Sequence, residues 1–443
     1  MSACSIFHGV CSWPGAYAPA LERCPVLVVK DFKLHYNPAL DGLRGVAILL
    51  VILSHSHAPL FDGAFFGVDL FFVLSGYLIT SLLLMENESE GRIGFWRFYR
   101  RRFYRLMPAL ALFLGAYCIF APFLWPDLND IYTDALVSIL YLADYGIAFF
   151  DSPDTLLHMW SLSVEEHFYL IWPPLLVLLL RFSKPGRLWR PIALLWALSW
   201  LWRVYWVDQG QHFYEIFFRF DTRASGLFAG ALLAAVMIER PDFIAALKAR
   251  MHHAMWVPLA VPLLMALQWD NQDAMVWGIT VVECAAVVLL VAASQGSGLV
   301  FDMLSSPTLV KLGRLSYGVY LWHYPVVRYL RADFSWPVVV ALGLAISVAL
   351  SALSFYTIER WALRMRWRAQ GRRAPAPGAA GLNAGSAPKA KKGTLARSLF
   401  LWVKETCCAL RTLSRAGTGT AVPRPCWCGP GWHCGAESGR SAR

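Results

Sequence analysis

Charge is what this chain has least of. Only 16% of its 443 residues are Asp, Glu, Lys or Arg, against about 25% in an ordinary globular protein. So little charge excludes a typical soluble domain. Hydrophobic residues reach 57% and aromatics 14%, which excludes a chain disordered throughout. Alternating strands of about ten residues are missing, which excludes an outer-membrane barrel. The first 36 residues lack the basic start and unbroken apolar core of a signal peptide. Cysteine is nearly absent from the middle: of ten, only Cys118 and Cys284 lie between residues 25 and 406. The fold class that remains is an all-α polytopic membrane protein.

Apolar windows of the length needed to cross a bilayer predict about ten transmembrane helices. They fall at 41–58, 65–85, 107–125, 162–181, 191–207, 221–238, 254–268, 275–293, 314–331 and 337–358. The apolar stretch 131–150 is interrupted by Asp134 and Asp144 and is expected to be an interfacial or re-entrant helix. Lys and Arg gather in alternate loops: Arg92 to Arg105, Arg181 to Arg190, Arg240 to Arg250, Lys311 and Arg314, and Arg360 to Arg368. By the positive-inside rule these loops and both termini are cytoplasmic. Three regions follow: an N-terminal extension, 1–36; a membrane domain, 37–366; and a basic Gly/Ala/Pro-rich tail, 367–443. The formal net charge of +11 belongs almost wholly to that tail. It suits anionic lipid and gives no reason to expect nucleic acid. In cytoplasmic tails stable disulfides are not expected. Cys426, Cys428, His433 and Cys434 match no zinc-ligand spacing, and no metal is expected.

A charged side chain in a bilayer costs about 2.5–3.5 kcal/mol on insertion scales. Those present therefore need a reason. Arg44 and His55 are eleven residues apart, which puts them about 20° apart on one helix face and roughly 16 Å along the axis. His55 is either a packing histidine or a catalytic one. Asp69 sits at a similar depth, and either orients an imidazole or caps its helix. The stretch Arg97 to Arg105 holds five arginines in nine residues with interleaved Phe and Tyr. It suits a polyphosphorylated cytoplasmic ligand, with lipid headgroups as the rival. Glu165 and Glu166 are adjacent, so only one is expected to face inward. Asp221 and Arg223 lie near one outer helix end, and His323 sits in mid-helix. Glu283 has no partner legible in the sequence. By depth these residues form two groups. The outer one holds His55, Asp69, Glu165, Glu166, Asp221 and Arg223. The inner one holds Arg44, Arg102, Arg105, Ser316, Tyr317 and Glu359. Such an arrangement fits a proton-coupled secondary transporter or a transmembrane group-transfer enzyme, and depth alone does not choose.

Four segments resemble acyltransferase family three, the bacterial integral-membrane O-acyltransferases of surface polysaccharides and related glycosides. They are Leu40-Asp-Gly-Leu-Arg44 through His55, Phe66-Gly-Val-Asp69 through Tyr77, Ser161-Leu-Ser-Val-Glu165-Glu166, and Leu315-Ser316-Tyr317-Gly-Val-Tyr320-Leu-Trp-His323. The resemblance spans about 33–364. It implies an acyl-CoA donor, most often acetyl-CoA, entering from the cytoplasm of a cell with this protein in its inner membrane. The acceptor it implies is a hydroxyl of a cell-surface or lipid-linked glycan. It places His55, Asp69, Glu165 and Glu166 in catalysis. Arg44, Arg102, Arg105, Ser316 and Tyr317 fall on the donor, and Asp221, Arg223 and His323 on the acceptor. Three departures stand out: His167 where members often have Gln, Ser225 where a second acid often follows, and no Pro within two residues of Glu359. Some members carry a further extracytoplasmic hydrolase-like domain, for which the tail here is expected to be too short.

Overall fold

The computed structural model describes residues 36–59, 61, 65–251, 274–294 and 296–369. Among them every regular element is helical. The expected span 254–268, the N-terminal extension to residue 35, the tail from 370 and its cysteines lie outside the described residues.

Among the described residues fifteen α-helices follow in chain order. The long ones are α1 (Pro38–His55), α2 (Gly67–Glu90), α3 (Phe95–Leu124), α6 (Met159–Phe182), α7 (Trp189–Asp208), α9 (Phe220–Glu239), α11 (Ile279–Ala293), α13 (Pro307–Leu330) and α14 (Trp336–Ser354). Between them run α4 (Ile131–Ile139), α5 (Ala143–Phe150), α8 (Phe213–Phe217), α10 (Pro241–Met251) and α12 (Leu299–Leu304); α15 (Arg360–Ala369) comes last. Single π turns open α11 and follow α14, the second ending at Glu359. Seven helical stretches among the described residues are long and apolar enough to cross a membrane. α7 and α13 are not among them; Arg190 and Arg203 interrupt the first, and Lys311, Arg314, His323 and Arg328 the second. The protein is a multi-pass helical membrane protein.

Several boundaries differ from those read in the sequence; α13 begins at Pro307 rather than at 314 and takes in Lys311 and Arg314. The arginine stretch is not a loop. It forms the first three turns of α3, since 95–107 holds no Gly or Pro and arginine favours helix. The stretch 131–150 is two helices, broken at Leu140 to Leu142, where Tyr141 takes a positive φ of 55°.

Backbone contact through glycine sets the packing. A Cβ on Gly313 of α13 would fall 1.7 Å from Asp41 O, and one on Gly45 of α1 would fall 2.4 Å from Leu309 O of α13. α1 and α13 therefore touch main chain to main chain, and they run in the same direction, since His323 also meets His55. α2 and α9 repeat the device: Gly76 faces Leu227 O and Gly230 faces Val73 O. Where lipid is as apolar as Leu, small residues that permit close approach hold helices together better than bulk does.

Candidate active site

Four helices contribute one stripe each. On α1 the stripe runs from Arg44 to His55. On α2 it holds Phe71, Ser75 and Leu78. On α6 and its N-cap it reads His158, Ser161, Glu165 and Tyr169, at spacings of three and four. On α13 it reads Ser316, Tyr320 and His323. Residues at these spacings share a helix face. The stripes meet around a cavity of about 230 Å³ lined by Arg44, Arg102, Arg105, Ser75, Glu165, Tyr169, Ser316, Tyr317 and Tyr320 among others. That is below the 300–1,000 Å³ usual for drug-sized ligands, a size that suits a slender chain.

Helical phase divides the arginines of α3. Arg97 and Arg101 turn toward α2: Arg97 bonds Glu86 at 2.5 Å and also Glu90, and Arg101 lies 4.0 Å from Glu86. Arg102 and Arg105, three apart, turn to the cavity. The Arg102 guanidinium lies 4.7 Å above the Tyr169 ring, and Arg105 is exposed at the surface. Arg44 donates to Asp41 at 3.1 Å, and Asp41 also accepts from Arg314 and Tyr36. The π turn ending at Glu359 packs on α3. Three guanidinium groups thus converge on one cavity, with Glu165 as the facing carboxylate.

Glu165 lines the cavity and Glu166 does not. Beside Glu165, Ser75 Oγ and Tyr169 OH are 2.5 Å apart. Tyr317 donates to Leu106 O at 3.0 Å, tying α13 to α3. Tyr320 donates to His158 O at 2.9 Å, and Ser161 lies 2.6 Å from the Tyr320 hydroxyl. The Tyr320 ring closes the end of the cavity away from the arginines, edge-on to Phe71 at 6.4 Å.

Behind Tyr320 stand three histidines. His55 Nδ1 lies 2.9 Å from Val51 O and 3.3 Å from His323 Nε2. His158 Nε2 donates to Leu321 O at 3.1 Å, and its ring lies 5.4 Å from that of His323. His158 was not singled out in the sequence, although its spacing from Ser161 and Glu165 puts it on their face. Ser75, Tyr169 and Tyr320 carry the same kind of signal, a polar stripe at helical spacing.

Asp69 is elsewhere. Its Oδ1 accepts from Arg223 NH2 at 2.8 Å, and both side chains are buried. The guanidinium lies 4.6 Å from the Phe217 ring and 5.4 Å from Trp160. A second buried pair stands nearby. Arg203 of α7 lies 3.9 Å from Glu283 of α11 and donates to Ser225 at 2.7 Å, while Ser225 donates to Glu283 at 2.5 Å. Two acids and two arginines thus join α2, α7, α9 and α11, and supply the partner that Glu283 lacked. Arg223 is inside this network, whereas Asp221 is held by Arg219 and by Trp202 Nε1 at 2.7 Å. His167 pairs with Asp144 at 3.1 Å.

Comparison with known proteins bears on this geometry. A family model described as an acyltransferase domain matches residues 37–356. The chain belongs to this acyltransferase family. It is 32% identical over 316 residues to the peptidoglycan O-acetyltransferase OatA of Listeria monocytogenes, covering 67% of this chain and 50% of that protein. It is 32% identical to the putative peptidoglycan O-acetyltransferase YrhL of Bacillus subtilis, covering 73% and 54%. It is 31% identical to the O-acetyltransferase OatA of Staphylococcus aureus, covering 73% and 57%. The chain thus spans about half the length of the curated relatives it matches. No solved structure matches it. The matched acyltransferase region contains all four stripes, the cavity and the three histidines.

Proposed function

We propose that this protein is an O-acyltransferase of the inner membrane, with both termini in the cytoplasm. It moves an acetyl group from acetyl-CoA to a hydroxyl of a cell-wall glycan of the peptidoglycan type. One observation carries the reading: the stripes of α1, α6 and α13 run from a cavity lined by Arg44 and by Arg102 and Arg105 of α3 to the cluster of His55, His158 and His323. Arg102 and Arg105 suit the phosphates of coenzyme A, since guanidinium forks match phosphate oxygens. The narrow cavity suits the pantetheine arm, with Arg44 and Glu165 along it. The arm then delivers the thioester toward His55, roughly 16 Å from Arg44 along α1.

His55 Nε2 removes the proton of the acceptor hydroxyl as its oxygen attacks the thioester carbon. Collapse of the tetrahedral adduct breaks the C–S bond, and the proton passes from His55 to the leaving thiolate. The products are an O-acetyl glycan and free coenzyme A. The identity to OatA-type relatives supports acetyl as the group and wall glycan as the acceptor. The test is acetyl-CoA turnover by purified protein in liposomes, with mass spectrometry of the glycan. His55→Ala should abolish transfer and leave the protein folded; full acetylation by that variant would refute the assignment. A proton-coupled transporter would instead show no stabilisation by acetyl-CoA.

A further inference from the structure

Hydrogen-bond chemistry assigns the protons of the His55–His323 contact. A carbonyl oxygen only accepts, so the 2.9 Å bond from His55 to Val51 O places a proton on His55 Nδ1. His323 Nδ1 lies 2.6 Å from Tyr320 O and must likewise carry a proton. In the neutral ring His323 Nε2 is then a bare lone pair. It faces His55 Nδ1 at 3.3 Å, with the ring planes 58° apart, a donor-to-lone-pair geometry rather than a stack. His55 Nε2 is left unprotonated. His55 is only partly buried, whereas His323 is fully buried.

We propose that His323 is the positioning residue of His55, doing with a neutral imidazole what a carboxylate does in acid–histidine pairs. The inference rests on the reading of His55 as the base. Among the described residues no acid competes for the position, since Asp69 is taken by Arg223 and Glu165 lines the cavity. Other groups around the pair are His158 from the start of α6, Tyr324 and Arg331 from α13 and its end, and His57 beyond α1. His323 shares the Nδ1–H of His55 with Val51 O and so locks the tautomer that exposes Nε2. When Nε2 gains the acceptor's proton, the charge spreads to Nδ1–H, and the His323 lone pair accepts a stronger bond. His158 packs against His323 and Tyr324, fixing the ring from behind.

The test compares His323→Leu, His323→Gln and His55→Ala in acetyl-CoA turnover with a soluble peptidoglycan glycan fragment. Gln can donate to Tyr320 O and accept from His55; Leu has similar bulk and can do neither. His323→Leu should lower kcat about 10–100-fold, the usual effect of losing an orienting partner, with KM nearly unchanged. His323→Gln should restore most of that loss. If the leucine variant does not fold, His323→Met takes its place. Equal rates for the apolar and glutamine variants, or an apolar variant at the native rate, would overturn the pairing. A fully active His55→Ala would instead bring down the assignment of the base itself, with the pairing.

Discussion

Asp69 on α2 accepts a 2.8 Å bond from Arg223 on α9, and neither side chain reaches solvent. The acid that shares a depth with His55 in the sequence therefore answers a different partner. Removing one member of a buried pair strands the other charge, at a cost of about 3–5 kcal/mol, while replacing both is far milder. Arg223→Leu should lower thermal stability in detergent sharply, and Asp69→Leu should do the same. The double variant should be more stable than either single one. A double variant less stable than both would argue against the pair.

Acylation by Asp69→Asn should fall only as far as its folded fraction falls. Catalysis lost from a fully folded Asp69→Asn population would show that this carboxylate acts on the reaction as well as on packing.

Backbone contact between α1 and α13 predicts a second outcome. Gly313→Ala puts a Cβ where Asp41 O stands, and no side-chain shift relieves a main-chain collision. The variant should fail to accumulate as folded protein. Among the described residues nothing outside its own helix backbone lies within 4 Å of a Cβ on Gly115 of α3, so Gly115→Ala should be neutral or stabilise by roughly 0.5–1 kcal/mol. Thermal unfolding of the two side by side is the measurement.

The split of the α3 arginines predicts which ones serve the donor. Arg102→Ala and Arg105→Ala should each weaken acetyl-CoA binding, read by thermal shift, about 10–100-fold, the worth of a charge-assisted hydrogen bond. Arg97→Ala should leave binding intact, since its guanidinium is committed to Glu86 and Glu90. Equal losses at all three positions would mean that general positive charge, not cavity geometry, draws the ligand.

Adjacent glutamates should differ in the same way. Glu165→Gln removes the carboxylate of the cavity wall and should lower turnover by roughly tenfold or more. Glu166→Gln, away from the cavity, should stay within about a factor of two. Steady-state rates at saturating acetyl-CoA separate them.

Much of the architecture was legible in the chain because bilayer thickness converts directly into length of apolar run. The first two spans and those of α6, α9, α11 and α14 sit within a few residues of their expected places. The start of α3 was misplaced because positive charge in a loop and positive charge on an amphipathic helix end look alike in composition. Within the site, stripes spaced by three and four were visible in principle. His158 escaped because it stands just before its helix, outside the apolar window.

The sequence alone determined that the chain is helical and membrane-embedded, and that Arg44 and His55 share a face, since helical pitch is a local property. It also carried the motifs of the acyltransferase family. Only the tertiary structure decided partners. Asp69 and Arg223 are 154 residues apart, and His55 and His323 are 268 apart. Which acid meets which arginine, and which histidine orients which, depends on the register of glycine-paired helices. That register is set by close approach of two backbones, a relation that neither helix expresses by itself.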